Sequence, residues 1–344
     1  MRDGSRVPPA DLSAVENGRL AVRDLTIAAH DSGGILVSGV AFSVVPGETV
    51  ALVGESGSGK SLTILAMLGL LPGGVVQTAG DVRLGGSDIT GFAGDSIRLR
   101  GRVIAAIFQD PQASLDPRWT VGRYLRDQLF RHRRLRGAAA DREAAALLDG
   151  VGLPQPERLM KSYPHELSGG MAQRVMIAGA LAARPRFLLA DEPTTALDVT
   201  TQAQILDLLA DLQKREGLGV LLVTHDLGVV AEIAHRVVVL YGGRIMETGD
   251  AARVLGHPRH PYTAALLAAM PDIADDMPPV AIPGHPGERP ASGCPFHPRC
   301  GLATSVCETA PPSLREIGPE QGVACYHPLP SAAVTQGLIR YAVG

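Results

Sequence analysis

Runs of apolar residues, each of strand length, alternate with glycine-containing turns over the first quarter of the chain. Among these strand-like runs lies one segment, residues 61–70, whose apolar residues have helical spacing. Between about residues 95 and 164 the pattern becomes helical and charged, and it predicts helices at 121–136 and 138–151. The β-rich composition of the earlier runs predicts short strands at residues 20–27, 40–45, 48–53 and 81–84.

A second unit of alternating strands and helices follows the charged segment. Ser168 is placed to open a helix, and buried strands are predicted at 187–190 and 220–224, on either side of a helix at 201–216. Two further runs, 237–241 and 244–247, are joined by Gly242-Gly243, which is typical of a β-hairpin. The pattern as a whole predicts an α/β fold.

The composition along the chain indicates where domains begin and end. The first 18 residues have the character of a flexible leader, and the Pro, Gly and Cys content rises sharply beyond about residue 255. We therefore expect a main domain at 19–255, with a helical subdomain at about 95–165, and a C-terminal extension at 256–344.

The overall composition argues against several classes of protein. Hydrophobic residues make up 45% of the chain and charged residues 19%, which is enough apolar material for a sizeable core. The formal net charge of −3 gives no indication of nucleic-acid binding through bulk electrostatics. The N-terminus lacks an apolar signal-peptide core, and no uninterrupted apolar run approaches the roughly 18 residues of a membrane helix. We expect a soluble, cytosolic protein that is able to sit on a membrane partner.

One stretch carries the strongest chemical signal. It follows the predicted strand at 48–53, fits the phosphate-binding pattern G-x-x-x-x-G-K-S/T, and reads Gly54-Glu55-Ser56-Gly57-Ser58-Gly59-Lys60-Ser61. Glycines let the backbone curl so that successive N–H groups point at phosphates. The helix that follows, from about Ser61, offers them its positive N-terminal end, to which Leu62 belongs. Lys60 is expected to reach the β- and γ-phosphates, and Ser61 to bind Mg²⁺. The chain is therefore predicted to bind a nucleoside triphosphate.

Two acids end a predicted buried strand farther along the chain. The apolar run at 187–190 is followed directly by Asp191 and Glu192. A nucleotide-binding sheet places its metal-binding and water-polarising residues at such strand ends. We expect Asp191 to hold Mg²⁺ through water, and Glu192, which points the other way, to polarise the attacking water.

A glycine-containing motif lies about twenty residues before this acidic pair, and it reads Leu167-Ser168-Gly169-Gly170-Met171-Ala172-Gln173-Arg174. It resembles the signature sequence of the ATP-binding cassette (ABC) family. The resemblance implies a P-loop nucleotide-binding domain with a RecA-like core, an antiparallel β subdomain and a helical subdomain, to which the Cys-containing extension is added. It also implies that two cassettes pair head to tail. Ser168, Gly169, Gly170 and Gln173 would then close on the ATP held by the other subunit.

Three other positions match motifs of the same family in order. By this resemblance, Gln109 belongs to the glutamine loop that touches Mg²⁺ and the transmembrane partner. Asp198, in Ala196-Leu197-Asp198, belongs to the loop between cassettes, and His225 corresponds to the switch histidine that contacts the γ-phosphate. The resemblance therefore implies that Glu192 and His225 are catalytic and that ATP and Mg²⁺ are the cofactors.

Two stretches narrow the resemblance to the ATP-binding subunits of dipeptide and oligopeptide (peptide/nickel) importers. They are residues 107–117 and the stretch His260-Pro261-Tyr262-Thr263, which precedes the cysteine-bearing tail. The resemblance implies a peripheral ATPase on the cytoplasmic face of the inner membrane. Its partners would be a second cassette subunit, in a heterodimer or a homodimer, two transmembrane permeases and an extracytoplasmic peptide-binding protein. The alternatives are import of nickel or another small solute, and a non-transport ATPase that acts on ribosomes or DNA.

The cysteines form a separate signal in the predicted extension. Disulfides are disfavoured in a reducing cytosol, so a tight cluster of cysteines indicates a metal site. The spacing lacks the C-x₂-C pairs usual for structural zinc, which favours a 4Fe–4S cluster held by four thiolates. A zinc ion and free structural thiols are the alternatives. The four residues are Cys294, Cys300, Cys307 and Cys325, separated by five, six and seventeen residues.

Overall fold

The computed structural model describes residues 18–92, 94–195, 197–270, 281–285, 290, 292–318 and 320–330. The predicted leader, up to residue 17, lies outside the described residues, as does Ala196 of the predicted loop between cassettes. The strands in these ranges are β1 (Leu20–Ala29), β2 (Ile35–Val44), β3 (Thr49–Val53), β4 (Val75–Leu84), β5 (Ser87–Asp88), β6 (Ile104–Ile107), β7 (Phe187–Asp191), β8 (Gly219–Thr224), β9 (Arg236–Tyr241), β10 (Arg244–Asp250), β11 (Arg315–Gly318) and β12 (Gln321–Val323).

The helices lie between these strands, and the longest of them covers Val199–Glu216. In chain order they are α1 (Lys60–Met67), α2 (Pro111–Ser114), α3 (Val121–Arg133), α4 (Gly137–Gly150), α5 (Pro156–Leu159), α6 (Gly169–Leu181), α7 (Val199–Glu216), α8 (Leu227–Ile233), α9 (Ala251–Gly256), α10 (Pro261–Ala268) and α11 (Ser305–Thr309).

Parallel strands form the centre of the larger of two sheets. Its order is β11-β12-β10-β9-β3-β8-β7-β6, and the strands from β9 to β6 all run parallel. Every residue of β3 and of β8 is buried, as expected for parallel strands covered on both faces. Because parallel strands end at the same edge, the segments that follow β3, β6, β7, β8 and β9 all leave the sheet at one edge.

Two smaller units pack against this sheet. The antiparallel sheet β2-β1-β4-β5 shares a hydrophobic cluster with α1 and with Val50 and Leu52 of β3. On the other side of the sheet, α3, α4 and α6 share a second cluster that includes Leu125, Leu148 and Val175. The predicted α/β fold, with an antiparallel β subdomain and a helical subdomain, is confirmed.

Most predicted elements are present, with altered bounds. The predicted helix at 121–136 ends at Arg133, because Arg134 adopts the left-handed conformation, with φ 59°, that caps α3. The hairpin formed by β9 and β10 turns at Gly242 and Gly243, as predicted. The prediction missed β6, a run of only four residues inside a segment whose charge pattern is helical. It also missed β11 and β12.

The chain beyond residue 255 is joined to the larger sheet. We call the described residues from 281 to 330 the C-terminal segment. Within it, β12 pairs with β10 and β11 pairs with β12, both antiparallel. Phe296 and Leu329 of this segment lie in one buried cluster with Val53 of β3 and Tyr241 of β9. The segment therefore shares its core with the strand that precedes the phosphate-binding pattern.

A buried carboxylate links β10 to the chain beyond residue 255. Glu247 of β10 is 0% exposed. Its Oε1 accepts hydrogen bonds from the backbone N–H of Arg259 at 2.8 Å and from Nε2 of Gln321 at 2.9 Å, and its Oε2 accepts from the backbone N–H of His260 at 2.9 Å. A buried carboxylate is tolerated when such donors satisfy it. Glu247 thus ties β10 to the residues before α10 and to β12.

In the part of the chain that the structure describes, no helix is both long enough and apolar enough to cross a membrane.

We predict that Glu247→Gln lowers the free energy of unfolding by about 2 kcal/mol, because an amide NH₂ then faces at least one of the three N–H donors. Urea unfolding followed by circular dichroism measures the change. The exposed Glu316 of β11 provides a matched control, and Glu316→Gln should change stability by less than about 0.5 kcal/mol. Equal stability of the two variants would contradict the role of Glu247.

Candidate functional site

The loop after β3 is held against the end of β9. Gly54 has φ +151°, and a Cβ at this position would lie 2.1 Å from the carbonyl oxygen of Leu240. Only glycine therefore fits there. Gly57 has φ +77°, and nothing lies within 4 Å of the position that its Cβ would take. The loop is thus closely packed on the side of the sheet and open at Gly57, which is the shape of a cradle for phosphates.

Lys60 begins α1 and is folded back onto this loop. Its side chain is buried, and Nζ donates hydrogen bonds to the carbonyl oxygens of Gly54 at 2.7 Å and Glu55 at 3.0 Å. Burial lowers the pKa of Lys60, although the carboxylates of Glu192 and Asp191 act in the opposite direction. A bound anion would supply the stabilisation that the ammonium group loses through burial.

The other predicted residues of the loop differ in exposure. Ser56 is exposed, whereas Ser58 is 3% exposed and its Oγ has no hydrogen-bond partner among the described residues. Gly59 precedes α1 with φ +105°. Leu62 packs against the hydrophobic cluster beneath α1, so its side chain faces away from the loop. The predicted contribution of the backbone N–H of Leu62 to phosphate binding is compatible with this arrangement.

Ser61 and Asp191 are brought together from separate parts of the chain. The hydroxyl of Ser61 donates to Oδ1 of Asp191 over 3.2 Å. Burial raises the pKa of Asp191, with the hydrogen bond from Ser61 acting in the opposite direction. Hydroxyl and carboxylate oxygens are the ligands that Mg²⁺ prefers, and the cation would stabilise the buried carboxylate. The residues present therefore fit a magnesium-bound nucleotide.

Glu192 lies at the centre of a second group of side chains. Its Oε2 accepts hydrogen bonds from Nε2 of Gln109 at 2.9 Å and from Oγ1 of Thr195 at 2.9 Å. Nδ1 of His225 lies 3.4 Å from Oε1. The backbone of Glu192 has φ +48°, a conformation that non-glycine residues rarely adopt. Residues predicted from three separate stretches thus meet around one carboxylate at the end of β7.

The signature motif forms the beginning of α6. Ser168 caps this helix, and its Oγ accepts a hydrogen bond from the backbone N–H of Met171 at 3.3 Å. A Cβ on Gly170 would lie 2.4 Å from Cγ2 of Thr201, so the motif packs closely against the start of α7. Gln173 is 1% exposed, and its Nε2 has no hydrogen-bond partner within the ranges that the structure covers.

Asp198 lies beside this motif, at the start of α7. Its carboxylate accepts hydrogen bonds from the backbone N–H of Thr201 at 2.9 Å and from the Thr201 hydroxyl at 2.8 Å. These hydrogen bonds lower the pKa of Asp198. A Cβ on Gly169 would lie 3.2 Å from Cδ2 of Leu197, so the glycines of the signature contact the loop that carries Asp198. The signature and this loop form one surface.

Three residues of the site are not predictable from their sequence context. Thr195 contacts Glu192, and its position three residues after the acid was the only signal for it. Tyr262 accepts a hydrogen bond from the backbone N–H of Glu55 at 2.9 Å. Arg299 donates to both carboxylate oxygens of Glu55, at 2.6 Å and 3.2 Å. The last two come from beyond residue 255, and nothing in their sequence pattern indicates a contact with the loop after β3.

The four cysteines line a single cavity in the C-terminal segment, together with Phe296 and Leu302. Burial raises the pKa of Cys294 to about 11 and that of Cys325 to about 12, and it also raises the pKa of Cys300. The thiols of Cys294, Cys300 and Cys325 are therefore protonated at neutral pH. Within the described residues, no group of three or more His, Cys, Asp or Glu side chains is placed to hold a metal ion.

Two family profiles match the chain. One is described as "ABC transporter" and matches residues 37–195. The other is described as "Oligopeptide/dipeptide transporter, C-terminal region" and matches residues 246–307.

Similar proteins cover most of the chain. The dipeptide transport ATP-binding protein DppD of Escherichia coli is 46% identical over 303 residues, which are 86% of this chain and 92% of that protein. The oligopeptide transport ATP-binding protein OppD of Escherichia coli is 45% identical over 316 residues, 90% of this chain and 93% of that protein. The OppD of Mycobacterium tuberculosis is 46% identical over 314 residues, and the match spans 89% of this chain but only 51% of that longer protein.

Solved structures share the fold of about two thirds of the chain. A dimeric ATP-binding cassette in a post-hydrolysis state, bound to ADP and Pi, has a TM-score of 0.59 and 29% identity. The match covers 67% of this chain and 98% of that one. The cbiO1 subunit from Clostridium perfringens has a TM-score of 0.59 and 28% identity, and the match covers 69% of this chain and 90% of that one.

Proposed function

The chain belongs to the ATP-binding cassette family, in the branch of the dipeptide and oligopeptide transport ATP-binding proteins, and from this premise we propose that it hydrolyses ATP to power peptide import. One observation carries the proposal. The pair formed by Ser61 and Asp191 lies beside the carboxylate of Glu192, which Gln109 and His225 surround, at the edge where the parallel strands end. This is the set of side chains that phosphoryl transfer to water requires.

In the proposed mechanism the loop at 54–61 binds the phosphates. The backbone N–H groups near Gly57 and the start of α1 face the phosphate oxygens, and Lys60 turns from its carbonyl partners toward the β- and γ-phosphates. Ser61, Asp191 and Gln109 would hold Mg²⁺, directly or through water. The cation would neutralise charge that develops on the phosphates.

Glu192 acts as the general base in this scheme. It accepts a proton from the water that attacks the γ-phosphorus, the bond to the β-phosphate oxygen breaks, and ADP and phosphate are the products. Thr195 and Gln109 orient its carboxylate through the hydrogen bonds described above. His225, whose Nδ1 lies 3.4 Å from Oε1 of Glu192, would contact the γ-phosphate.

The surface formed by the signature and Asp198 suits a second cassette. Ser168 and the two glycines after it lie at the N-terminus of α6, a position that favours an anion. We propose that this surface closes on the ATP of the other subunit in a head-to-tail pair. The pair is a heterodimer or a homodimer.

Peptides are the proposed cargo, because the profile of the oligopeptide and dipeptide transporter C-terminal region matches residues 246–307. The partners in this proposal are two membrane permeases and an extracytoplasmic peptide-binding protein. The chain would act on the cytoplasmic face of the inner membrane, with 19–255 as its nucleotide-binding domain and 256–344 as its importer-type extension. Nickel or another small solute is the second candidate cargo. A role on ribosomes or DNA has no specific observation in its favour.

For the cysteine cavity we propose a 4Fe–4S cluster. Its support is that all four thiols line one cavity, which also contains apolar side chains. A 4Fe–4S cluster is held by four thiolates, which matches the number of cysteines around this cavity. Cys294, Cys300, Cys307 and Cys325 would be the ligands. The bound cluster would cross-link the C-terminal segment.

We predict that Glu192→Gln lowers ATP turnover by about 10²- to 10⁴-fold, the contribution of a positioned general base, while ATP still binds. Phosphate release and equilibrium binding of a fluorescent ATP analogue measure the two effects. Lys60→Ala provides the contrasting variant, because it removes a cation from the phosphates and should weaken binding itself. Undiminished hydrolysis by Glu192→Gln, or unaltered affinity in Lys60→Ala, would remove the corresponding role.

Peptide import is predicted to depend on this hydrolysis. A strain that lacks the gene should fail to grow on a tripeptide as the sole source of a required amino acid, and should grow on the free amino acid. The wild-type gene should restore growth, whereas the Glu192→Gln gene should not. Normal peptide growth of the deletion strain, together with impaired nickel uptake, would favour the second candidate cargo.

Metal content tests the proposed cluster. Anaerobically purified protein is predicted to contain about four irons per chain and to absorb near 400 nm. Cys300→Ser, which removes one ligand, should lower the iron content. Because buried thiols are protonated at neutral pH, loading of the metal-free protein should also release protons. One zinc per chain would establish the alternative metal, and a colourless, metal-free protein would leave free structural thiols.

A further inference from the structure

The C-terminal segment reaches the phosphate loop through one arginine. Arg299 ends the short 3₁₀-helix His297–Arg299, directly before Cys300. Its Nη1 donates to Oε2 of Glu55 at 2.6 Å, and its Nη2 donates to Oε1 at 3.2 Å. A bidentate pair between a guanidinium and a carboxylate is the strongest form of ion pair between side chains and fixes the orientation of both groups.

This pair lies inside the protein. The side chain of Arg299 is 2% exposed and that of Glu55 is 18% exposed. The guanidinium also donates to the hydroxyl of Tyr241 at 3.2 Å and to the carbonyl oxygen of Pro283 at 2.5 Å. Burial opposes the charge of Arg299, but the hydrogen bonds with Glu55 and Tyr241 outweigh it and raise the pKa of Arg299. The arginine is therefore held as a permanent cation.

A second contact joins the same residue of the loop to the region beyond β10. The hydroxyl of Tyr262 accepts a hydrogen bond from the backbone N–H of Glu55 at 2.9 Å, and the backbone N–H of Tyr262 donates to Nδ1 of His260 at 3.0 Å. Tyr262 packs edge-on against Tyr241, and both rings contact Phe296. The side chain and the backbone of Glu55 are thus held by different residues of one buried cluster.

The charge of Glu55 creates an electrostatic problem for a loop that binds phosphates. Glu55 directly follows Gly54 in the phosphate-binding loop, where its carboxylate would repel the negatively charged phosphates of ATP. Lys60 contacts the backbone carbonyl of Glu55, while Arg299 contacts its carboxylate. The neutralising charge for this carboxylate therefore comes from the C-terminal segment.

We propose that Arg299 is a positioning residue of the phosphate loop: by pairing with Glu55 it cancels the negative charge that this carboxylate would otherwise place beside the phosphates of ATP. The affinity of the chain for ATP then depends on its own C-terminal segment. This inference rests on the proposed binding of ATP and concerns the same site.

Equilibrium binding of a fluorescent ATP analogue with Mg²⁺, to the full chain, tests the proposal. The variants are Arg299→Met, Glu55→Gln and the double variant, with Arg315→Met as the matched control. Arg315 belongs to β11 of the same segment and donates to the carbonyl oxygen of Cys325, away from the loop. Wild-type protein that bound no nucleotide would overturn the proposed function and not this inference alone.

Arg299→Met should raise the Kd for ATP by about tenfold, because it leaves an unpaired carboxylate beside the phosphates. The effect should shrink as the salt concentration rises, and it should be smaller for ADP, which carries less negative charge. The double variant should recover affinity to within about threefold of the wild type, since it has neither charge. Arg315→Met should bind as the wild type does.

Two results would overturn the inference while wild-type binding remained intact. One is an unchanged Kd in Arg299→Met. The other is a double variant as weak as Arg299→Met, because a purely structural role of the arginine is not rescued by removal of the carboxylate. If Arg299→Met does not fold, Glu55→Gln alone decides. It leaves an unpaired cation near the phosphates and should tighten ATP binding several-fold, so unaltered or weaker binding would reject the proposal.

Discussion

The parallel order of the central strands is the constraint on which the site depends. Because β3, β6, β7, β8 and β9 run in one direction, the residues that follow them emerge at a single edge of the sheet. The phosphate loop follows β3, Gln109 follows β6, and His225 follows β8. Side chains separated by more than a hundred positions thereby come within hydrogen-bond distance, as between Ser61 and Asp191. The end of β9 contributes backbone, since the carbonyl of Leu240 leaves no room for a side chain at position 54.

The antiparallel extension of the same sheet places a second region beside the loop. β10 continues from β9, β12 pairs with β10, and Glu247 ties both to the start of α10. Tyr262 and Phe296 thereby pack against Tyr241 at the end of β9. Phe296 lines the cavity of the cysteines and contacts Tyr262, which accepts a hydrogen bond from the phosphate loop. Arg299 pairs with the same residue of that loop.

The two regions differ in how far the sequence alone can predict them. The phosphate loop, the acids at the end of β7 and the helix opened by Ser168 are local patterns, each fixed by spacing along a few residues, and the structure has them at the expected positions in the chain. The grouping of Gln109 with Glu192 required knowledge of which strands are neighbours, and it came from the family resemblance. The contacts of Glu55 with Tyr262 and Arg299 span 207 and 244 positions, and no periodicity or local spacing encodes them. β6 was not predicted, because four residues are too few to show a strand pattern within a segment that is otherwise charged and helical.

The electrostatics of the site favour a bound magnesium nucleotide over the free protein. Burial lowers the pKa of Lys60 and raises the pKa of Asp191, so each group is shifted against its charged form. A phosphate beside the lysine and a divalent cation beside the aspartate would reverse both shifts, because each supplies the opposite charge where water is excluded. Glu55 is the exception, because its carboxylate needs a positive charge beside it and the anionic nucleotide could not supply one. Its partner has to be built into the protein, and the chain provides one in Arg299, which is permanently charged and buried beside it.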